Sequence, residues 1–173
     1  MSSVTLGGTR YSIKDDIPAV GMPASDFTFV KVDLSEGNLY DDYQDKVKVL
    51  IAVPSLDTSV CQAETRHFNQ SLAQRKEQGV VGLIISKDLP FAMNRFCEAE
   101  GIDNVIIASD YRYSDFINEY NTEILSGPFK GLSARAVFVV DQKNVVRYAE
   151  LVPEIGEEPQ YEAALQAVDA LIK

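Results

Sequence analysis

Three nearly unbroken apolar runs constrain this chain more than any other feature: Val47–Val53, Val80–Ser86 and Asn104–Ala108. A strand with one wet face alternates apolar and polar residues, whereas a strand covered on both faces reads as a continuous apolar run. Strands of the second kind lie between layers of helices, because parallel neighbours need long crossover connections. The segments between the runs supply those crossovers. Thr58–Lys76 contains neither Gly nor Pro, and Val60, Ala63, Phe68 and Leu72 roughly share a side at helical spacing. Leu89–Glu100 reads as a second helix that stops at Gly101, and Tyr113–Tyr120 as a shorter third before a Gly/Pro-containing loop, Gly127–Gly131.

The ends of the chain complete the pattern. Val4–Leu6, Gly7-Gly8 and Arg10–Ile13 read as a small hairpin, since two glycines permit a primed turn. Phe27–Val32 alternates weakly, as a further strand would. Ala136–Val140 and Val145–Leu151 flank the turn residues Asp141–Asn144, which gives an antiparallel hairpin. Pro159 is placed to open a last helix carrying Tyr161, Leu165, Val168 and Ile172 at helical spacing. The expected fold is α/β: a thioredoxin-like mixed sheet with helices on both faces and an N-terminal β-hairpin. With no internal repeat or linker, residues 1–173 are expected to form a single domain.

Composition narrows the function. At 46% apolar and 24% charged residues, the chain is of ordinary globular type. No apolar run approaches the roughly 18–20 residues of a bilayer span. Met1–Lys14 has no apolar segment of the kind a secretory signal needs, so a cytoplasmic location is expected. A net charge of −10 repels phosphate backbones and anionic lipids, making nucleic acid and membrane poor partners. Two cysteines, Cys61 and Cys97, and one histidine, His67, cannot furnish a four-ligand zinc site. Nor do Cys61 and His67 make a hydrolase pair, since His67 falls about 240° around the helix from the cysteine. Two cysteines in a cytosolic chain read as reactive or buried rather than as a structural bridge. The aromatic residues Phe27, Phe91 and Phe138 read as core.

The segment Pro54-Ser55-Leu56-Asp57-Thr58-Ser59-Val60-Cys61 joins a buried strand to a helix, which puts Cys61 in the first helical turn. Unpaired backbone N–H groups and the positive end of the helix dipole favour a thiolate there. Thr58 can cap the helix or hydrogen-bond the sulfur, and the sequence leaves both open. Cysteine also packs as a small hydrophobe, so a purely structural Cys61 is the competing reading. Arg135 opens an apolar strand, and an arginine near buried surface must find an acceptor. A Cys61 thiolate would serve, as would the carboxylate of Glu64 one helical turn on; both contacts can hold together.

Pro54-x-x-x-Thr58-x-x-Cys61 after the first core strand resembles the active-site motif of the peroxiredoxins. Asp88-Leu89-Pro90-Phe91-Ala92-Met93-Asn94-Arg95-Phe96-Cys97-Glu98-Ala99-Glu100-Gly101 is similar to the resolving-cysteine helix of their atypical two-cysteine branch, the thiol peroxidases. Gly131-Leu132-Ser133-Ala134-Arg135-Ala136-Val137 resembles the segment that carries the branch's active-site arginine. The resemblance runs nearly end to end. It implies that Cys61 is the peroxidatic cysteine, Cys97 the resolving cysteine, and Pro54, Thr58 and Arg135 the residues around the sulfur. It further implies reduction of hydrogen peroxide and organic hydroperoxides through a Cys61 sulfenic acid and a Cys61–Cys97 disulfide, recycled by thioredoxin. The branch tends to pair as homodimers, and its cycle needs no metal, haem, flavin or selenium. Two other readings stay open: a thioredoxin-like thiol–disulfide oxidoreductase, which normally wants two cysteines much closer in sequence, and a non-enzymatic interaction module.

Overall fold

The apolar runs form the middle of a seven-stranded sheet in a computed structural model that describes residues 2–172. The domain bounds expected at Met1 and Lys173 lie outside the described residues. In chain order the elements are β1 (Ser3–Leu6), β2 (Thr9–Ser12), β3 (Thr28–Val30), β4 (Glu36–Asn38), α1 (Leu39–Asp42), β5 (Val47–Ala52), α2 (Ser59–Ala73), β6 (Val80–Ser86), α3 (Pro90–Glu100), β7 (Ile106–Ser109), α4 (Asp115–Glu119), β8 (Ala136–Val140), β9 (Val146–Leu151) and α5 (Tyr161–Leu171). A single 3₁₀ turn, Lys76–Gln78, separates α2 from β6.

The large sheet runs β4-β3-β7-β6-β5-β8-β9. Strands β5, β6 and β7 are parallel neighbours joined by α2 and α3, and the outer strands pair antiparallel. Because β5 is covered on both faces, all six of its residues are buried. Val47, Val49, Ile51 and Val53 pack with Phe68 and Leu72 of α2, Met93 of α3 and Val168 of α5. Leu50 and Ala52 point the other way, into a cluster holding Phe27, Phe116, Tyr120 and Phe138. Each such Val, Leu, Ile or Phe contributes about 1.5–3 kcal/mol by leaving water.

Gly82 sets how closely α2 lies on the sheet. A Cβ at this position would come within 2.4 Å of Leu72 Cδ1, so no larger residue fits under the helix as it is packed. The small sheet of β1 and β2 turns through Gly7 and Gly8, with φ of 59° and 85°, as the primed turn requires. Its outer edge is tied to the chain after β9 by Thr5 N–H to the Pro153 carbonyl (2.7 Å) and Ile155 N–H to the Thr5 carbonyl (2.8 Å).

Several boundaries differ from the sequence reading. The strand at Phe27–Val32 is limited to Thr28–Val30, and β4 and α1 follow it without a periodic signal in their short segments. The third apolar run shifts to Ile106–Ser109. Pro159 does not open the last helix: Gln160 is its N-cap and Tyr161 its first residue. The Tyr161 N–H instead closes a turn on the Pro159 carbonyl at 3.1 Å. Phe91 is not core but 67% exposed. The buried side of α3 is Pro90, Met93 and Cys97, and Phe91 lies about 100° around the axis from Pro90.

Candidate active site

The end of β5 delivers the chain to Pro54, which is buried, and through a tight loop to α2. Thr58 occupies the N-cap position with extended backbone (φ −123°, ψ 150°). Its hydroxyl neither caps the helix nor reaches the sulfur; it donates to the Ser55 carbonyl at 2.9 Å and so tightens the loop. Cys61 is the third helical residue, where backbone N–H groups have no partner one turn back and the dipole is positive. The residue is fully buried.

Arg135 stands immediately before β8, the antiparallel neighbour of β5, and this pairing carries it beneath the start of α2. It is only 2% exposed. A guanidinium so placed must use its donors, and this one does. Nε and Nη2 donate to the Ile155 carbonyl at 3.1 and 2.7 Å. Nη1 donates to Cys61 Sγ at 3.3 Å and to Glu64 Oε1 at 2.8 Å. The two acceptors the sequence offered for Arg135 are therefore engaged together.

The electrostatics follow from burial. Glu64 is fully buried, and loss of solvent raises its carboxyl to about 7 against the opposing pull of Arg135. Its second oxygen, Oε2, has no hydrogen-bond partner among the described residues. For Arg135, burial works against the charge, but Cys61 and Glu64 outweigh it and hold the guanidinium protonated. A cation donating to a sulfur stabilises thiolate over thiol, and thiolate is the nucleophile.

Cys97 is set differently. It lies in the last turn of α3, seven residues after Pro90, which is about 10 Å along the axis. Helices α2 and α3 both start at the same edge of the sheet, because each follows a parallel strand. Cys97 thus sits toward the end opposite Cys61, and both cysteines are free. Burial alone pushes its thiol up to about 11. It lines a recess of about 290 Å³ with Val32, Asn94, Ile102 and Ile107. Another cleft, of about 240 Å³, separates the Leu56–Asp57 loop from the Ala92–Phe96 side of α3. His67 is exposed and stacks on Tyr161 with ring centroids 3.6 Å apart, away from Cys61.

Two features had no signal in the sequence reading. The Ile155 carbonyl that anchors Arg135 is a backbone group and leaves no trace in residue type. Asp88, at the entry to α3, accepts from the Ser55 hydroxyl at 2.8 Å and from Leu56 N–H at 2.8 Å. An Asp just ahead of Leu89-Pro90 could have been taken as a helix-entry acceptor, but not as one serving the neighbouring loop.

A thioredoxin-like sheet with one cysteine at a helix start, held under a buried arginine, defines a class of cysteine-based redox proteins. The chain belongs to the redoxin family, whose pattern matches residues 19–165. Thiol peroxidase of Leptospira interrogans is 52% identical over 174 residues, covering 99% of this chain and 100% of the relative. Thiol peroxidase of Aquifex aeolicus is 43% identical over 170 residues, covering 98% of each chain. Among solved structures, a peroxiredoxin-like protein from Aquifex aeolicus superposes with a TM-score of 0.92 at 42% identity, covering 98% of this chain and 97% of that one. Thiol peroxidase from Chromobacterium violaceum, at 22% identity and a TM-score of 0.85 over 97% of this chain and 95% of its own, shares the fold.

Proposed function

We propose that Cys61 is the peroxidatic and Cys97 the resolving cysteine of this thiol-dependent peroxidase. Peroxidase activity follows from the family and from relatives similar over their full length. The observation that carries the assignment of Cys61 is the 3.3 Å contact of Arg135 Nη1 with Cys61 Sγ in the first turn of α2, and Cys97 is proposed as its partner because it is the other free cysteine of the chain. In the first step the Cys61 thiolate attacks one peroxide oxygen and the O–O bond breaks. The sulfur is oxidised to sulfenic acid, and the other oxygen leaves as water or alcohol after taking a proton. Charge moves onto the departing oxygen, and Arg135 with the N–H groups of the α2 start is placed to stabilise it. Thr58 and Pro54 hold the loop that presents the sulfur.

In the second step Cys97 Sγ attacks the sulfenic sulfur. The S–S bond forms, Cys97 is oxidised, the Cys61 sulfur is reduced, and hydroxide leaves as water with the thiol proton. Since Cys97 lies at the far end of α3, both helix segments must open locally. A dithiol protein then reduces the bond by exchange; thioredoxin is the proposed reductant. The peroxide is hydrogen peroxide or an alkyl hydroperoxide, and the chain acts as a single domain, in homodimers, in the cytoplasm. Among the described residues no helix is long and apolar enough to cross a membrane.

The test is peroxide consumption coupled to NADPH through thioredoxin reductase and thioredoxin. Wild type should turn over, Cys61→Ser should be inactive, and Cys97→Ser should consume about one equivalent and stall. Sustained thioredoxin-dependent turnover by Cys97→Ser would overturn the resolving role.

A further inference from the structure

Asp88 connects two segments that lie far apart in sequence. Its Oδ1 accepts from Ser55 Oγ at 2.8 Å, and its Oδ2 accepts from Leu56 N–H at 2.8 Å and from Ser86 Oγ at 2.7 Å. The residue is pinned to the sheet on its own side as well. Its N–H donates to Ser86 Oγ at 3.1 Å, and its carbonyl accepts from Ser109 Oγ. Ser86 and Ser109 are buried at the ends of β6 and β7, so Asp88 rests on rigid ground. Leu89 follows as the N-cap of α3.

The loop before α2 is otherwise self-contained. Thr58 N–H and hydroxyl both donate to the Ser55 carbonyl, Asp57 N–H donates to Ser55 Oγ, and Gln62 Nε2 donates to the Leu56 carbonyl. Among the described residues, the hydrogen bonds of Ser55–Thr58 to anything beyond the loop and α2 all go to Asp88. Bonds to an ionised acceptor are about twice as strong as neutral ones. The loop that presents Cys61 is therefore held on the entry of the Cys97 helix by one carboxylate.

We propose that Asp88 is a positioning residue that latches the Cys61 loop to the start of the Cys97 helix, keeping Cys61 under Arg135 until it is oxidised. Its release is the gate for disulfide formation. The inference rests on the assignment of Cys61 and Cys97 as a peroxidatic and resolving pair. It adds a residue that governs how the sulfenic acid partitions. A tight latch holds the sulfenic acid in place and exposes it to a second peroxide; a loose one passes it sooner to Cys97.

The experiment is rapid-mixing kinetics on the full chain, wild type against Asp88→Asn and Ser55→Ala, with hydrogen peroxide. Asp88→Asn keeps the shape but loses the charge; Ser55→Ala removes one bridging bond, together with the bond from Asp57 N–H inside the loop, and leaves the Asp88 contacts to the sheet intact. The expected result is opposite movement of two steps. Disulfide formation should rise about 10-fold in Asp88→Asn, and by less in Ser55→Ala. The peroxide step should fall several-fold, and the peroxide concentration that yields sulfinic acid on Cys61 should rise. Loss of fold support alone would slow both steps together, and that result, or unchanged partitioning in both variants, overturns the latch. If Asp88→Asn does not fold, Ser55→Ala decides by the same criterion. Absence of a Cys61–Cys97 disulfide in oxidised wild type would instead overturn the cysteine assignment itself, and the latch with it.

Discussion

Arg135 reaches Cys61 from inside the protein: Nη1 lies 3.3 Å from Sγ, and the guanidinium is turned away from solvent by its two bonds to the Ile155 carbonyl. The same nitrogen holds Glu64 at 2.8 Å, so one buried cation faces two groups that can each carry a negative charge.

Removing that cation should separate activity from stability. Arg135→Gln is expected to lower kcat/KM for peroxide about 10²–10³-fold, the usual loss for one donor at a developing charge. It should also destabilise by about 1–3 kcal/mol, because Glu64 is left buried without its donor and takes up a proton rather than carry an unpaired charge. Adding Glu64→Gln should restore much of the stability, read by urea unfolding, and none of the activity. Recovery of activity in the double variant would contradict the placement of Arg135 at the reacting sulfur.

Glu64 gives a pH signature of definite sign. Its carboxyl is raised by burial to about 7 from an ordinary 4.5, so between those values the folded state holds a proton that the unfolded state has lost. The contribution is fully present below about pH 4.5 and is lost as pH rises toward 7; on the order of 3 kcal/mol is involved. The difference in unfolding free energy between wild type and Glu64→Gln should therefore shift in favour of the variant across this window. A difference independent of pH would contradict the buried carboxyl's role.

The two thiols should alkylate unequally. Burial pushes Cys97 up to about 11, whereas Cys61 has Arg135 on its sulfur. With limiting iodoacetamide at pH 7, mass spectrometry should find the label on Cys61 well before Cys97. Equal labelling, or Cys97 first, is the contrary result.

Disulfide formation should register as local opening. Amide exchange is expected to rise on oxidation in residues 55–61 and through Pro90–Glu100, while β5 and β8 stay protected. Pro90 and Gly101, the latter at φ 67°, bracket the second segment and mark where it can detach. Unchanged exchange in both segments of the oxidised protein would show that no such opening occurs.

How legible each part was depends on the range of the interaction behind it. The buried strands could be read because burial on both faces leaves a local signature in Val47–Val53 and Val80–Ser86. The position of Cys61 in the first turn could be read because Pro54, the Thr58 cap position and the following helix formers are contiguous. Arg135 could be placed near buried surface, and the pairing of β8 with β5 supplies the contact. Side-chain direction was less accessible: Thr58 bonds back to Ser55, and Phe91 turns outward on α3. The Ile155 and Asp88 contacts were not legible, since each joins segments brought together only by the sheet.

The most direct test of Cys61 as the reacting thiol is to treat Cys97→Ser with one equivalent of hydrogen peroxide in the presence of dimedone, and to treat wild type with peroxide alone. Peptide mass spectrometry should find the dimedone adduct on Cys61 in the variant, and a Cys61–Cys97 disulfide with loss of two hydrogens in wild type. An unmodified Cys61 in Cys97→Ser after the peroxide has been consumed would contradict it.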